Sequence, residues 1–188
     1  MITKGNRYIG GGRLFFTPKL KDGTIGTEFE VGEVQEATFS MSAESAEAFS
    51  KDEVMKKLVE KVVTSIGGTL KFTTQIINSE NMAMALLGKA EKETFEIGDT
   101  LPDKTIATAK VEIVVIKAGE NPNIEGQFRF VGDENGAYKP VLLVYNASVI
   151  PSGDIGYIMD NFSTLSFEGA VLKTDEGYAK EYKMRVGA

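Results

Sequence analysis

Residues 138–173, YKPVLLVYNASVIPSGDIGYIMDNFSTLSFEGAVLK, decide how the rest of the chain is read. Two runs rich in β-branched and aromatic residues flank a crossover marked by Pro151, Gly153 and Gly156 and a short Ile-Met-Asp-Asn turn. A period of two places Val141, Leu143, Tyr145, Ala147 and Val149 on one side of a pleated strand, and Phe162 to Leu172 makes a second one. Long amphipathic strands this close in sequence predict a sheet protein.

The same signals extend outward. Strands are predicted near 7–17, 26–42, 59–66, 69–77, 106–117, 125–132, 140–150 and 162–173, each bounded by Gly, Asn, Asp or Pro. One helix is predicted over 79–88, capped by Asn78 or Ser79 and stopped by Gly88 in a left-handed conformation. Met82 to Leu87 is apolar all round, so this helix should be pressed between the sheet and a neighbouring surface. Between Lys51 and Ser65 a helical spacing (Val54, Leu58, Val62) competes with strand alternation (Val59, Val63). The Gly67-Gly68 pair favours strands joined by a type I′ turn, setting Ile66 against Thr69, Val63 against Phe72 and Val59 against Ile76. One face of that hairpin is then apolar, and the other carries Glu60, Val62, Thr64, Lys71, Thr73 and Gln75. Over 35–42, Ala37, Phe39 and Met41 should point inward and Glu36, Thr38, Ser40 and Ser42 outward. Residues 43–58 are charged and alanine-rich with Phe49 as a bulky anchor, which fits an exposed loop or an arm that orders against a partner.

Composition removes much chemistry. The 188 residues suit one domain, 1–188, and include no Cys and no His, which excludes disulfides, thiol nucleophiles, imidazole metal ligands and the serine–histidine triad. A net charge of −6 opposes non-specific adhesion to nucleic acid or an anionic membrane. No apolar run approaches a bilayer span, and the start MITKGNRYIGGGR lacks the apolar stretch of a secretory signal.

The remaining candidate motifs are weak. Gly10-Gly11-Gly12-Arg13 lacks the helix and Lys-Ser/Thr of a phosphate loop and reads as a bulge or turn. Glu28 with Glu30, or Glu91 with Glu93, could pair as catalytic carboxylates, yet 27 acidic residues generate such pairs freely. Asp99, Asp103 and the Asp133-Glu134-Asn135-Gly136 turn lack calcium-loop spacing. Lys56, Lys57 and Lys61 form a compact basic cluster, suited to a charged loop face or to ion pairs with an adjacent subunit. Tyr138, Tyr145, Tyr157, Tyr178 and Tyr182 crowd the last third, as packing or contact residues. No enzymatic activity and no cofactor is expected.

In wording and layout, 138–173 resembles the C-terminal half of phage major tail tube proteins. The resemblance returns at Gly68-Thr69-Leu70-Lys71-Phe72-Thr73-Thr74, followed by Ser79 to Gly88, where a strand runs into a short helix ending at glycine. Overall it is closer to long-tailed, siphovirus-like phages than to the tubes of contractile tails, tailocins or type VI secretion, which share the fold. The resemblance implies a mainly β fold, a β-sandwich or open β-barrel with one short flanking helix, whose hairpins complete an inner β-barrel across a hexameric ring. Rings would stack head to tail into a hollow tube through which DNA is ejected, as part of a virion made in the bacterial cytoplasm. It further implies that Glu36, Thr38, Ser40, Ser42, Glu60, Thr64, Lys71, Thr73 and Gln75 line the lumen. Residues 43–58 would be the loop that docks on the next ring, with Glu47, Phe49, Lys51, Asp52, Lys56 and Lys57 in contact. Met82, Met84 and Leu87 would meet the ring neighbour. Implied partners are further copies, a tape-measure protein, a tail terminator and a baseplate or distal tail protein; DNA passes without specific binding, and no membrane is involved. From a different class, a free-standing carbohydrate-binding β-sandwich would need aromatic platforms, and the chain has no Trp.

Overall fold

The computed structural model describes residues 10–51, 55–134 and 138–185. In chain order the elements are β1 (Gly12–Pro18), β2 (Phe29–Glu30), β3 (Val34–Ser50), β4 (Lys57–Thr74), α1 (Ser79–Ala85), β5 (Lys89–Phe95), β6 (Val111–Lys117), β7 (Ile124–Gly132), β8 (Tyr138–Pro151), β9 (Leu165–Val171) and β10 (Ala179–Arg185). The fold is mainly β with one short helix, as the strand signals predict. An eight-stranded antiparallel sheet runs β2-β1-β7-β8-β9-β4-β3, with β10 also paired to β8, and β5 and β6 form a separate two-stranded sheet.

The large sheet curls on itself. Phe72 of β4 and Phe128 of β7 are separated by two intervening strands, yet their rings lie 5.4 Å apart, which requires the same face of the sheet to close inward. Phe16 stacks on Phe128 at 4.5 Å and Phe72 on Phe167 at 4.9 Å, so four fully buried rings from β1, β7, β4 and β9 form the centre of the core. Leu14, Leu70, Val144, Val149, Leu165 and Val171 pack around them. Each buried ring contributes about 1.5–3 kcal/mol relative to exposure.

β8 breaks the alternation read from its sequence. Gly126 pairs with Ala147 but Phe128 with Val144, so β8 carries one extra residue at 145–146. This bulge reverses which side chains point inward. Val144, Ala147 and Val149 are buried in the core, whereas Val141, Leu143 and Tyr145 lie on the opposite, half-buried side. The bulge also marks a change of partner: residues before it pair with β10 and residues after it with β9. The second strand begins at Leu165 rather than at Phe162.

Gly67 and Gly68 do not form a turn. Both lie inside β4, opposite Ser42 and Met41, and neither has a positive φ. The predicted strands 59–66 and 69–77 are therefore one strand, and the registers Ile66/Thr69, Val63/Phe72 and Val59/Ile76 are replaced by Ile66/Ala43, Val63/Ser45 and Phe72/Ala37. Steric room explains the second glycine: a Cβ on Gly68 would sit 2.9 Å from Met41 Sδ and 3.1 Å from Val171 Cβ. Residues 43–50 belong to β3 and 57–58 to β4, so the predicted loop 43–58 is mostly the far end of a long hairpin. Strands β5 and β10 were not anticipated, because Lys89–Phe95 and Ala179–Arg185 are charged sequences with few β-branched residues.

The helix is capped by Asn78, whose side chain accepts from Asn81 N at 2.8 Å. Asn81, fully buried, donates from Nδ2 to Val31 O at 2.7 Å and Ile76 O at 2.8 Å, and Thr74 Oγ1 bonds Glu33 O at 3.2 Å. This knot ties the β2–β3 link, the end of β4 and α1 together. At the other end Leu87, not Gly88, takes the left-handed conformation, with φ 48°. Gly88 is required for a different reason, since a Cβ there would lie 2.5 Å from the Lys117 carbonyl oxygen.

Candidate assembly surfaces

The outer face of the curled sheet is polar across five strands. Paired residues in an antiparallel sheet project to the same side, so the registers place Glu125, Ser148, Ala170, Thr69 and Ser40 in one row from β7 to β3. Adjacent rows hold Ile150, Glu168, Lys71 and Thr38, then Ser166, Thr73 and Glu36. Of the lumen candidates, Glu36, Thr38, Ser40, Ser42, Lys71 and Thr73 thus share one surface. Lys71 donates to Glu168 at 2.9 Å within the same chain, so its charge is offset without a neighbour. Thr73 and Ser166 hydroxyls lie 3.1 Å apart. Glu36 has no ion-pair partner among the described residues, leaving this face weakly acidic and rich in hydroxyls.

Three lumen candidates lie elsewhere. Gln75 follows the end of β4, half-buried, its backbone N bonded to Glu33 O. Thr64 sits at a bulge where Glu44 pairs with Ser65 and Ser45 with Val63. Glu60 pairs with Ala48, about 20 Å along the ribbon from Ser42 at ~3.3 Å per residue. Sequence alternation alone missed Ser148, Ser166 and Glu168, although Ser166, Glu168 and Ala170 alternate with Leu165, Phe167, Gly169 and Val171 and carry the signal.

Beyond Gly68 the β3–β4 hairpin leaves the sheet. β9 ends at Val171 opposite Gly68, and from there outward β4 pairs with β3 alone among the described residues. Tyr178 Oη donates to Ile66 O at 2.6 Å at the base of the projecting ribbon, 43–50 with 57–66; beyond that contact no other strand pairs with either of its edges among the described residues. Phe49, Leu58, Val59, Val62, Val63 and Ile66 on it are each at least half exposed. Phe49 faces Leu58, and Glu47 accepts from Lys61 at 2.9 Å, so Lys61 is committed within the hairpin rather than offered to another subunit. Lys51 and Lys56 are exposed near the tip, Lys57 pairs with Ser50 in the ladder, and Asp52 lies outside the described residues. A two-stranded ribbon is at best marginally stable alone in water, and a long apolar one is a template for pairing.

The helix candidates divide. Met84 is 5% exposed and sits in the chain's own core, so it has no surface to give a ring neighbour. Met82 and Leu87 are half-buried and pack against that core with part of each side chain outward.

Two further features reach beyond the sequence candidates, which touch them at Glu36, Tyr138 and Tyr157. A cleft of about 1040 Å³ opens on the concave side, walled by Leu14, Phe39, Phe130 and Leu142 with Tyr138, Glu36, Glu181 and Lys183 also lining it. The β8–β9 connection carries exposed Tyr157, Ile158, Met159 and Phe162, with Ile158 and Phe162 nearly bare. Among the described residues no group of acidic side chains is placed to hold a metal ion.

A family model described as protein of unknown function UCP028589 matches residues 7–107, more than half of the chain. No curated protein matches it.

Proposed function

The chain belongs to the UCP028589 family, and from its exposed ribbon together with the resemblance to tail tube proteins we propose that it is a structural subunit that polymerises into stacked rings forming a hollow phage tail tube. The projecting β3–β4 ribbon carries this reading: a hairpin of 17 and 18 residues, half of it outside the sheet with open edges and an apolar surface. Such an element is completed when identical copies add strands to both edges, and closure around a ring removes every edge. The hexameric number and the stacking come from the resemblance to tail tube proteins.

In that arrangement the hydroxyl-rich face of Glu36, Thr38, Ser40, Lys71, Thr73, Ser166 and Glu168 lines the bore. Short polar side chains and a weakly acidic wall give phosphates no cationic partner, so a duplex slides without being held. Terminator, baseplate and tape-measure proteins would meet the tube ends and its filling. Negative-stain microscopy of the concentrated protein tests the reading: rings or filaments are expected, and replacing 43–66 by a tight turn should abolish them while the sheet persists by circular dichroism. A protein that remains monomeric at millimolar concentration, with or without its ribbon, would overturn it.

A further inference from the structure

The β8–β9 connection behaves as an apolar finger. Ile158 is 99% exposed, Phe162 86% and Tyr157 75%, yet the base of the finger is pinned where Ser152 N donates to Ser166 O at 2.9 Å. With Met159 these side chains expose about 500 Å² of largely apolar surface, the size of a functional patch on a monomer. The finger does not fill its own cleft: it leaves β8 after Pro151, about 23 Å along the strand from Val144 at ~3.3 Å per residue, and none of its residues lines the cleft.

We infer that the finger of one copy inserts into the concave cleft of the next, a head-to-tail contact between second copies of this chain. The inference rests on the self-assembly reading and adds the pair of surfaces that make it directional. The cleft offers an apolar floor, Leu14, Phe130 and Leu142, at a volume that accepts three or four large side chains. Charge favours a protein socket over a lipid surface: Asp154 and Asp160 flank the finger with no cation between them, which opposes an anionic bilayer. The β8–β10 lip of the cleft instead presents Lys183 and Arg185, paired with Pro140 and Tyr138 of the lining, with Glu181 further along it. Docking would bury of order 1,000 Å² in total, the lower bound for a specific interface, so one contact is weak and its repetition along a polymer makes it effective.

The absence of native cysteine makes the test direct. A full-length Ile158→Cys/Ala37→Cys double variant places one thiol on the finger and one on the cleft wall, both in exposed positions. Oxidation at high concentration should yield a covalent ladder of dimers, trimers and longer chains, at least ten-fold more than either single variant gives, because a disulfide needs Cα atoms within about 7 Å. Adding Phe162→Asp should abolish the ladder. Filaments without a ladder would overturn the finger contact and leave the self-assembly reading standing, whereas monomers alone would overturn both. Co-sedimentation of the wild-type chain with neutral phosphatidylcholine vesicles, lost in Ile158→Asp, would assign the finger to lipid and overturn the second-copy socket.

Discussion

Single positions separate a turn from a continuous strand. Gly67 sits in extended backbone with only Ser42 Oγ near an added Cβ, at 3.7 Å, so Gly67→Ala should be neutral or stabilise by about 0.5–1 kcal/mol through reduced unfolded-chain entropy. In a type I′ turn, which needs positive φ, the same change would destabilise. Gly169 gives the contrast: its Cβ would meet Ser148 O at 2.6 Å and Val149 Cγ2 at 2.8 Å, and Gly169→Ala should cost about 2–3 kcal/mol. Urea melts of the two variants check both, and equal midpoints would argue against the fused β4. Asn81 is the other decisive residue. Asn81→Leu strips the donor from Val31 O and Ile76 O, and should lower stability by about 2–3 kcal/mol in the same assay despite the added apolar volume. The helix cap at Asn78 was legible because capping is local chemistry. The partners of Asn81 were not, since Val31 lies 50 residues away and no periodicity announces a buried amide.

At the scale of elements, the β5–β6 hairpin carries a titration signature. Lys117 and Lys89 both donate to the Glu91 carboxylate, at 2.8 and 2.9 Å, and hold its pKa down to about 2 from an ordinary 4.5. A carboxylate depressed in the folded state stabilises fully above its unfolded pKa, and loses that contribution as pH falls from about 4.5 to about 2. Glu91→Gln should therefore lower the melting temperature slightly at neutral pH, converge with the wild type near pH 2 and so flatten the fall across that window, the effect being small because the pair is exposed. An unaltered pH slope would remove Glu91 from the account. The elements whose pattern is intrinsic, β1, β6, β7, β8, β9, α1 and much of β3 and β4, are legible in the sequence. The pattern misleads where tertiary geometry decides: a bulge at 145–146 inverted the inward residues of β8, and Gly67-Gly68 mimicked a turn although the second glycine makes room for Met41 and Val171. The polar face was half legible, because Glu36 to Ser42 alternate cleanly, while Ser148 and Glu168 join it only through long-range pairing.

The whole molecule poses a question of charge. A chain of net −6 whose hydroxyl-rich face pairs Lys71 with Glu168 offers phosphates little to hold, and the same face should become adhesive with one substitution. Glu168→Lys changes each subunit by two charges and sets two cations side by side, repeated around every ring of the proposed tube. Because phosphate binding scales with the number of cations neutralising it, filaments of this variant should retain fluorescent linear duplex at 50 mM salt and release it steeply toward 200 mM. Wild-type filaments should retain none. Topology then locates the face: a bore admits only a duplex with a free end, so closed circular DNA of the same sequence should stay unbound, whereas an outward face would capture circle and line alike. Equal retention of both forms by the variant would place Glu36, Lys71 and Glu168 on the outside of the polymer, and the conduit reading would fall even if the filaments themselves survive.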